Sequence, residues 1–254
     1  MTPAGGPKTS EDARLAALAE RYGLSDPAAA KLRTLLQLLL QDPLAPTAIR
    51  DSAKAIDDHL ADSLVALEVD AVRDARRAVD IGSGAGLPGL ALAIALPGAE
   101  FALLESAARK CAFVGRAIAE CAVENATVVN ARAESWTAGL GRNDLVTARA
   151  VAPLDVVAEY AAPLLTIGGT LAAWRGRRDL AAEAALRQAA EELGLSDPEI
   201  RPVQPHDRAQ HRHLYLISKV METPSRFPRR PGMALKRPLG AGQTVQQPSD
   251  RPGR

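Results

Sequence analysis

The chain has 254 residues, of which 47% are apolar and 24% charged, and its formal net charge is +1. These values are typical of a folded globular protein; no apolar run is long enough to span a membrane, and the polar first ten residues do not resemble a signal peptide. Cys111 and Cys121 lack C-x-x-C spacing, which excludes a disulfide framework and a zinc finger. We therefore expect a reduced, cytoplasmic protein.

The first seventy residues predict a helical cap. A helix is expected over 10–22, where Gly23 ends it, and a second helix begins with Asp26 as N-cap and Pro27 in the first turn. Its leucines keep to one face, as an amphipathic helix requires. Pro43 and Pro46 predict a loop over 41–50, and a third helical region begins at residue 51. We expect residues 1–70 to form this cap before the sheet begins.

From residue 78 onward the pattern changes to alternating strands and helices. Strands are predicted over 78–81, 100–104, 127–130, 144–148 and 170–174, with helices over 88–96, 107–121, 154–164 and 179–193. Such alternation predicts a parallel, doubly wound sheet. Two last strands, near 199–203 and 214–220, have only a loop between them, which predicts an antiparallel end. Residues 71–220 are therefore expected to form one α/β domain, the methyltransferase variant of the Rossmann-like fold with a mostly parallel seven-stranded sheet.

A glycine-rich turn follows the first strand. Residues 80–89 read D-I-G-S-G-A-G-L-P-G. Glycines without Cβ let the chain fold back sharply and let a ligand lie against bare backbone, with Asp80 as a hydrogen-bond acceptor for it. Residues 84–89 match G-x-G-x-x-G, the dinucleotide fingerprint, whereas the fuller D-x-G-x-G-x-G pattern resembles the first motif of S-adenosylmethionine-dependent methyltransferases. Both ligand classes, and a turn without a ligand, stay open at this point.

Polar residues stand at the ends of the next three strands. Glu105 follows the second strand and could accept both hydroxyls of a cofactor ribose in either ligand class. Ala133 and Glu134 follow the third strand, where a backbone N–H and a carboxylate could read an adenine edge, although a plain polar loop is the simpler interpretation. Arg149 follows the fourth strand and could hold a phosphate, a cofactor carboxylate or a neighbouring acid. The carboxyl ends of parallel strands share one edge, so we expect one crevice there.

The histidines predict neither a metal site nor a catalytic base. His211 and His213 would point the same way on a strand, but no third ligand accompanies them. His59 lies on a predicted helix, where packing is the default interpretation. The sequence contains no nucleophile elbow, Walker motif or Ser–His–Asp arrangement.

The last 34 residues carry seven basic and two acidic side chains, so a basic tail follows a mildly acidic body. A basic, proline-rich segment of this kind is expected to stay extended and solvated. It could reach a polyanion through phosphate contacts and leave cofactor binding to the body of the protein, or it could be a solvated tail without a partner. We treat residues 221–254 as this tail.

Motifs spread over residues 47–239 resemble one family, the small-subunit ribosomal RNA guanine-N7 methyltransferases (RsmG, also called glucose-inhibited division protein B). The resemblance rests on T-A-I-R-D at 47–51, H-x-x-D-S-L at 59–64, the glycine turn with G-L-P-G, R-A-E at 132–134, R-A at 149–150, R-H-L at 212–214, F-P-R-R-P-G at 227–232 and K-R-P-L at 236–239. The family usually has Asn-Leu-Thr where this chain has Ala45-Pro46-Thr47, and Lys-Gly where it has Arg175-Gly176.

The resemblance implies a class I S-adenosylmethionine-dependent methyltransferase whose substrate is guanine 527 in the 530 loop of 16S rRNA, within the 30S ribosomal subunit. Family cofactor contacts match Gly82, Leu87, Ala133, Glu134 and Arg149, and the turn and strand-end arguments add Gly84 and Glu105. For RNA binding we expect five basic residues and one histidine: Arg50, His59, Arg229, Arg230, Lys236 and Arg237. We expect the protein to be a monomer and not to associate with a membrane.

The implied chemistry needs no general base. Guanine N7 is an acceptor with a free lone pair, so the protein has to align the reacting atoms and exclude water. We therefore expect no catalytic side chain and no metal. Two other functions stay open: an NAD(P)-dependent oxidoreductase that uses the turn over 84–89, and a non-catalytic ribosome-binding protein that keeps the fold. The predicted antiparallel end and Asp80 argue against the first, and the intact glycine turn argues against the second.

Overall fold

The structure, a computed structural model, describes residues 10–240 and begins with two long helices. They are α1 (Ser10–Arg21) and α2 (Asp26–Gln41). The N-cap of α2 lies one residue before the predicted Asp26, because the Ser25 hydroxyl accepts the Ala28 N–H at 3.4 Å. The face of α2 that carries its leucines is buried, as its periodicity predicts.

A broken helical stretch leads from the following loop to the sheet. It consists of α3 (Ser52–Ala55), a π-helical turn (Ile56–Ala61), α4 (Asp62–Leu64), a 3-10 turn (Val65–Glu68) and α5 (Asp70–Arg73). Asp51 caps its start by accepting the Lys54 N–H at 2.7 Å. The π-helical turn carries His59, and turns of this kind frequently mark functional positions.

Seven strands form one sheet in the order β3-β2-β1-β4-β5-β7-β6. Their bounds are β1 (Arg77–Ile81), β2 (Glu100–Glu105), β3 (Ala126–Asn130), β4 (Asn143–Arg149), β5 (Leu165–Arg175), β6 (Glu199–Pro202) and β7 (His213–Ser218). The first five strands run parallel, and β7 is antiparallel to both of its neighbours. The predicted seven-stranded, mostly parallel sheet with an antiparallel end is confirmed.

The fifth strand is longer than predicted. The sequence suggests a start at residue 170, after a glycine pair, but β5 begins at Leu165. The pairing with β4 shifts register between Asn143 and Leu145, and Gly168 has a φ of +85° there. The glycine pair therefore forms a bulge inside the strand and does not break it.

Helices cover both faces of the sheet. The remaining helices are α6 (Gly89–Ala95), α7 (Ala108–Glu120), α8 (Leu154–Ala161), α9 (Leu180–Leu193) and α10 (Met233–Lys236). Side chains alternate along each strand, so Ala78 joins the core beneath α6 and α7 while Val79 joins the core beneath α8 and α9. The N-terminal helices share the first of these cores, in which α2 packs against α6 and α7. The domain boundaries at residues 70 and 220 stay predictions.

The described part of the C-terminal tail packs onto the domain. Phe227 and Ala234 are 7% and 1% exposed, and both join the core that contains α8. The expectation of an extended, solvated tail is therefore wrong for residues 227–237, because two apolar side chains bury there despite the basic composition. Residues 241–254 lie outside the described part. Within residues 10–240, none of the helices combines the length and the apolar character that a membrane crossing requires.

We predict opposite effects for alanine at two helical glycines. A Cβ at Gly89 would lie 2.5 Å from Asp80 Cβ and 2.5 Å from Leu103 Cδ2, whereas a Cβ at Gly115 in α7 meets nothing within 4 Å. Gly89→Ala should lower the free energy of unfolding by about 1–3 kcal/mol through overpacking. Gly115→Ala should raise it by roughly 0.5–1 kcal/mol, since alanine loses less backbone entropy in a helix. Urea unfolding measures both; a Gly89→Ala variant as stable as the parent would contradict the tight contact.

Candidate functional site

The glycine turn folds back onto the neighbouring strand. Gly82, Gly84 and Gly86 have φ values of +67°, +58° and +83°, which cost a residue with Cβ roughly 1–2 kcal/mol. The N–H groups of Gly82 and Ser83 donate to Leu104 O at 2.8 and 3.1 Å. A Cβ at Gly82 would also lie 2.9 Å from Val151 Cγ2 in the loop after β4. Glycine is therefore required here by conformation and by space.

Asp80 does not face a ligand, which corrects the expectation from sequence. Its side chain is fully buried, Thr147 Oγ1 donates to Oδ1 at 2.7 Å, and the Gly89 N–H donates to Oδ2 at 3.2 Å. Burial raises the pKa of this carboxyl to about 6, against the opposing effect of the hydrogen bonds that it accepts. Asp80 thus ties the strand end to β4 and to the start of α6.

Leu87 and Glu105 differ in how they meet the turn. Leu87 is 5% exposed and its side chain lies in the core, so only its backbone belongs to the turn. Glu105 accepts the Gly84 N–H at 3.1 Å and the Ala107 N–H at 2.8 Å, one at each carboxylate oxygen. Each carboxylate oxygen can accept a second hydrogen bond, so Glu105 can hold the turn and still accept ligand hydroxyls.

A cavity of about 200 Å³, which we name the turn cavity, opens beside the glycine turn at the carboxyl ends of β1, β2 and β3. It brings together three of the residues that the sequence predicts for one crevice, and it adds an aromatic and an aliphatic wall. Its principal lining residues are Gly82, Ala133, Glu134, Val151, Tyr160 and Leu235. A flat apolar group with polar edges is the chemistry that this lining fits.

Arg149 borders a second cavity, of about 240 Å³, which we name the arginine cavity. Its principal lining residues are Asp62, Arg149, Trp174, Arg175, Arg212 and His213. Asp62 accepts from Arg149 Nη1 at 2.8 Å and lies 3.3 Å from Arg212 Nε, and Trp174 Nε1 donates to its carbonyl at 2.6 Å. The sequence left three partners open for Arg149, namely a phosphate, a cofactor carboxylate or a neighbouring acid. In the structure its partner is a neighbouring acid, Asp62.

The loop over 149–152 forms a wall common to both cavities. Arg149 and Ala150 line the arginine cavity, and Val151 and Ala152 line the turn cavity. Arg175 connects the two cavities, because its side chain lines the arginine cavity and donates a hydrogen bond to the carbonyl of Ala152, which lines the turn cavity. A larger cavity, of about 450 Å³, lies among the amino-terminal ends of β1, β2 and β4, at the opposite edge of the sheet from the residues predicted for the site.

His59 lies at the edge of the helical cap, near the arginine cavity. Its Nε2 is 2.8 Å from Thr47 Oγ1, and burial, together with the charge of Arg149, lowers the pKa of its imidazole. A lowered pKa keeps His59 neutral at pH 7. Arg50 is exposed and folds back on the loop, where it donates to Thr47 O at 2.9 Å.

The basic residues predicted in the tail divide into two groups. Arg229 forms a paired contact with the buried Glu159 of α8, with Nε 2.6 Å from Oε1, so that most of its donors serve packing. Arg230, Lys236 and Arg237 are exposed. The segment between them also reaches the turn cavity, where the Gly232 N–H donates to Glu134 Oε1 at 2.9 Å.

Several site residues were not predicted from the sequence. Tyr160 and Leu235 reach the turn cavity from a helix and from the tail, and Asp62 reaches the arginine cavity from the helical cap. Arg212 and His213 stand in a motif, R-H-L, that the sequence singled out without a role. His211 has a φ of +52° before β7, so the expectation that it shares a strand face with His213 is wrong. Among the described residues, no group of three His, Cys, Asp or Glu could hold a metal ion.

A family model and several relatives match most of the chain. The model of the GidB family, described as rRNA small subunit methyltransferase G, matches residues 29–214. A protein of Synechococcus sp. (strain JA-3-3Ab), named ribosomal RNA small subunit methyltransferase G, is 37% identical over 85% of this chain and 87% of its own length. A protein of the same name from Symbiobacterium thermophilum is 40% identical over 76% of this chain and 82% of its own length.

The solved structures agree on the fold. A SAM-dependent methyltransferase from Aquifex aeolicus superposes with a TM-score of 0.52, at 13% identity, over 77% of this chain and all of that chain. At this identity the likeness concerns the fold alone. The sheet order and the superposition together confirm the predicted class I methyltransferase fold.

We predict a pH-dependent contribution of Asp80 to stability. A folded pKa of about 6, above the ordinary value, means that the folded state binds a proton which the unfolded state releases between about pH 4 and pH 6. The stabilising contribution is full below that window and is lost as the pH rises through it. Relative to Asp80→Asn, which does not titrate, the parent should lose about 2–3 kcal/mol between pH 4 and pH 7. Denaturant unfolding at several pH values measures this, and a constant difference between the two proteins would refute it.

Proposed function

We propose that this chain, which belongs to the GidB family of rRNA small subunit methyltransferase G, transfers a methyl group from S-adenosylmethionine to N7 of a guanine in small-subunit ribosomal RNA. The family shows that the protein is a methyltransferase. The target that the motif resemblance implies is guanine 527 in the 530 loop, with the 30S particle as substrate and one chain acting alone in the cytoplasm. One observation carries the proposal: the loop over 149–152 places two cavities side by side, one on each side of it.

The turn cavity fits the cofactor. Tyr160 and Leu235 supply apolar walls for an adenine, and Ala133 and Glu134 supply backbone and carboxylate for its polar edge. Glu105 does not line the cavity itself, but its carboxylate holds the adjoining glycine turn, and we propose it as the acceptor for the ribose hydroxyls. When bound, S-adenosylmethionine supplies an electrophilic methyl group on a positively charged sulfur. The positive φ values of the glycine turn let its backbone approach a ligand closely.

The arginine cavity is the place we propose for the target guanine. A base must leave its stack to enter such a pocket, where aromatic and planar cationic side chains can hold its faces. Trp174, Arg175 and Arg212 offer these groups. The Watson–Crick edge of guanine carries N–H donors, for which the buried carboxylate of Asp62 is an acceptor. Recognition through that edge leaves N7 free to react.

The chain's own groups have to orient the base and exclude water. N7 already has a free lone pair at neutral pH, so no side chain must remove a proton. Arg149 stays charged and cannot act as a base; its ion pair with Asp62 holds the loop that separates the two cavities. Orientation of this kind can contribute roughly 7–11 kcal/mol to lowering the barrier.

The RNA contacts extend over the surface around the cavities. Arg50, Arg230, Lys236 and Arg237 are exposed and remain our proposed phosphate contacts, whereas the pairing of Arg229 with Glu159 assigns it mainly to packing. Phosphate contacts supply affinity that falls with salt and is independent of sequence. His59 is held by Thr47 at the edge of the cap, and we propose for it a contact with RNA and no role in proton transfer.

We predict that calorimetry will show binding of S-adenosylhomocysteine to the parent protein and no binding of NAD. This pair of results would distinguish a methyltransferase from an NAD(P)-dependent oxidoreductase. Gly84→Ala should weaken binding at least tenfold, because a residue with Cβ is strained at a φ of +58° and would shift the turn, whose Gly84 N–H donates to Glu105 beside the proposed cofactor site. Gly141→Ala is the matched control, since Gly141 has a φ of +61° against +58° at Gly84 and no atom within 4 Å of a Cβ. Both changes strain the backbone equally, so equal affinities for the ligand would contradict the placement of the site.

We predict that the rate of methyl transfer to 30S particles shows no histidine titration. Single-turnover rates between pH 5 and pH 9 should have the same pH profile in the parent, His59→Gln and His213→Gln; the window extends to pH 5 because the pKa of His59 is lowered. Glutamine can replace imidazole as a hydrogen-bond partner of Thr47 without titrating, so His59→Gln tests the proton and keeps the contact. A loss of rate towards pH 5 in the parent that disappears in either variant would show a histidine base and overturn the alignment mechanism.

A further inference from the structure

The segment over 227–237, which we name the C-terminal strap, is fixed to the domain at several points. Arg229 pairs with Glu159, which is 2% exposed, and Arg229 Nη2 also donates to Arg237 O at 2.9 Å, which closes the segment into a loop. Phe227 is buried, and the guanidinium groups of Arg226 and Arg229 lie 4.9 and 5.9 Å from its ring centre. A buried ion pair with two hydrogen bonds holds its position firmly, so the strap is part of the folded domain.

The strap forms one wall of the turn cavity. Ala234 is 1% exposed and packs beneath it, while Leu235 is 53% exposed and lines the cavity together with Ala133 and Tyr160. An exposed leucine beside an aromatic ring gives an apolar surface that a flat ligand can cover. A ligand in this cavity would therefore contact a residue far from the glycine turn in sequence.

The strap also orients a polar group of the cavity. The Gly232 N–H donates to Glu134 Oε1 at 2.9 Å, and Gly232 adopts a φ of +81° at this point. The hydrogen bond is charge-assisted and fixes the carboxylate. Glu134 can then accept a further hydrogen bond through its other oxygen from a donor in the cavity. The exocyclic amino group of adenine is such a donor.

We propose that the C-terminal strap is a part of the cofactor site: Gly232 positions Glu134 for the adenine amino group, and Leu235 closes the apolar wall over the ring. This inference rests on the proposed function, because it takes the ligand to be an adenosyl compound. It assigns the tail a role in cofactor recognition in addition to the RNA contacts expected from its charge. Gly232 and Arg229 are positioning residues, and Leu235 contacts the ligand.

The first test uses two glycines with nearly the same backbone conformation. Gly232 has a φ of +81° and Gly168 a φ of +85°, and a Cβ at either position meets nothing within 4 Å. Both alanine variants should therefore lose similar stability in urea unfolding. In calorimetry, Gly232→Ala should bind S-adenosylhomocysteine about tenfold more weakly than the parent, since it misplaces a charge-assisted hydrogen bond. Gly168→Ala, in the bulge of β5, should bind like the parent.

The second test asks whether the adenine amino group is read. The inosine analogue of S-adenosylhomocysteine has an oxygen in place of that amino group and cannot donate to Glu134. The parent should prefer the adenosine compound, and Gly232→Ala should lose most of this preference. A strap that only stabilises the fold would weaken both ligands equally and keep the ratio of affinities, so the ratio separates positioning from folding.

The third test uses two leucines whose side chains are more than half exposed. Leu235→Ala should weaken both ligands by a similar factor, because it removes an apolar contact that is common to them. Leu180→Ala is the control, since Leu180 is 75% exposed at the start of α9 and lies away from the cavity. Parent-like affinities in Gly232→Ala and Leu235→Ala would overturn this inference and leave the proposed function standing. Failure of the parent to bind S-adenosylhomocysteine would overturn the proposed function and this inference with it.

Discussion

The buried carboxylate of Asp80 is the interaction on which the site depends. One oxygen accepts from Thr147 of β4, and the other accepts from the first N–H of α6 at Gly89. These contacts fix the end of β1, the start of the helix and the fourth strand relative to one another, and the glycine turn is the chain between two of them. Burying a carboxylate costs free energy, which the raised pKa reflects, and hydrogen bonds from buried donors offset part of that cost. Asp80 therefore fixes the two ends of the turn, and the hydrogen bonds to Leu104 O and Glu105 hold the residues between them.

A second buried carboxylate connects the helical cap to the sheet. Asp62, in the broken helical stretch, lies between Arg149 at the end of β4 and Arg212 just before β7. Removing Asp62 would leave the largely buried guanidinium of Arg149 without a compensating charge, which is strongly destabilising. The helical cap therefore supplies part of the wall of the arginine cavity, and the two proposed binding cavities depend on the position of the same short loop after β4.

The C-terminal tail shows how packing can change the role that charge alone suggests. Its basic composition predicts a solvated segment with phosphate contacts, yet Phe227, Ala234 and the ion pair of Arg229 attach residues 227–237 to α8. Exposed basic side chains remain on the same segment, at Arg230, Lys236 and Arg237. One segment thus presents cationic groups to solvent and an apolar wall to the turn cavity.

The sequence by itself determined four features: the alternation of strands and helices, the antiparallel end of the sheet, the glycine turn and the polar residues at the ends of strands. These are local patterns, set by periodicity, backbone freedom at glycine and the shared edge of parallel strands. Gly82, Ala133 and Glu134 could be placed in one crevice for this reason. The bulge at Gly168 was missed because a glycine pair signals a break as readily as a kink within a strand.

Only the tertiary structure decided what depends on contacts between distant segments. It turned Asp80 inward, since its direction is set by packing against α6 and β4, and it separated Arg149 from the turn cavity by pairing it with Asp62. It also brought Tyr160 and Leu235 to the wall of the turn cavity, from positions 78 and 153 residues after Gly82 in the chain. No spacing rule relates such residues, because their proximity follows from how α8 and the strap pack on the finished sheet.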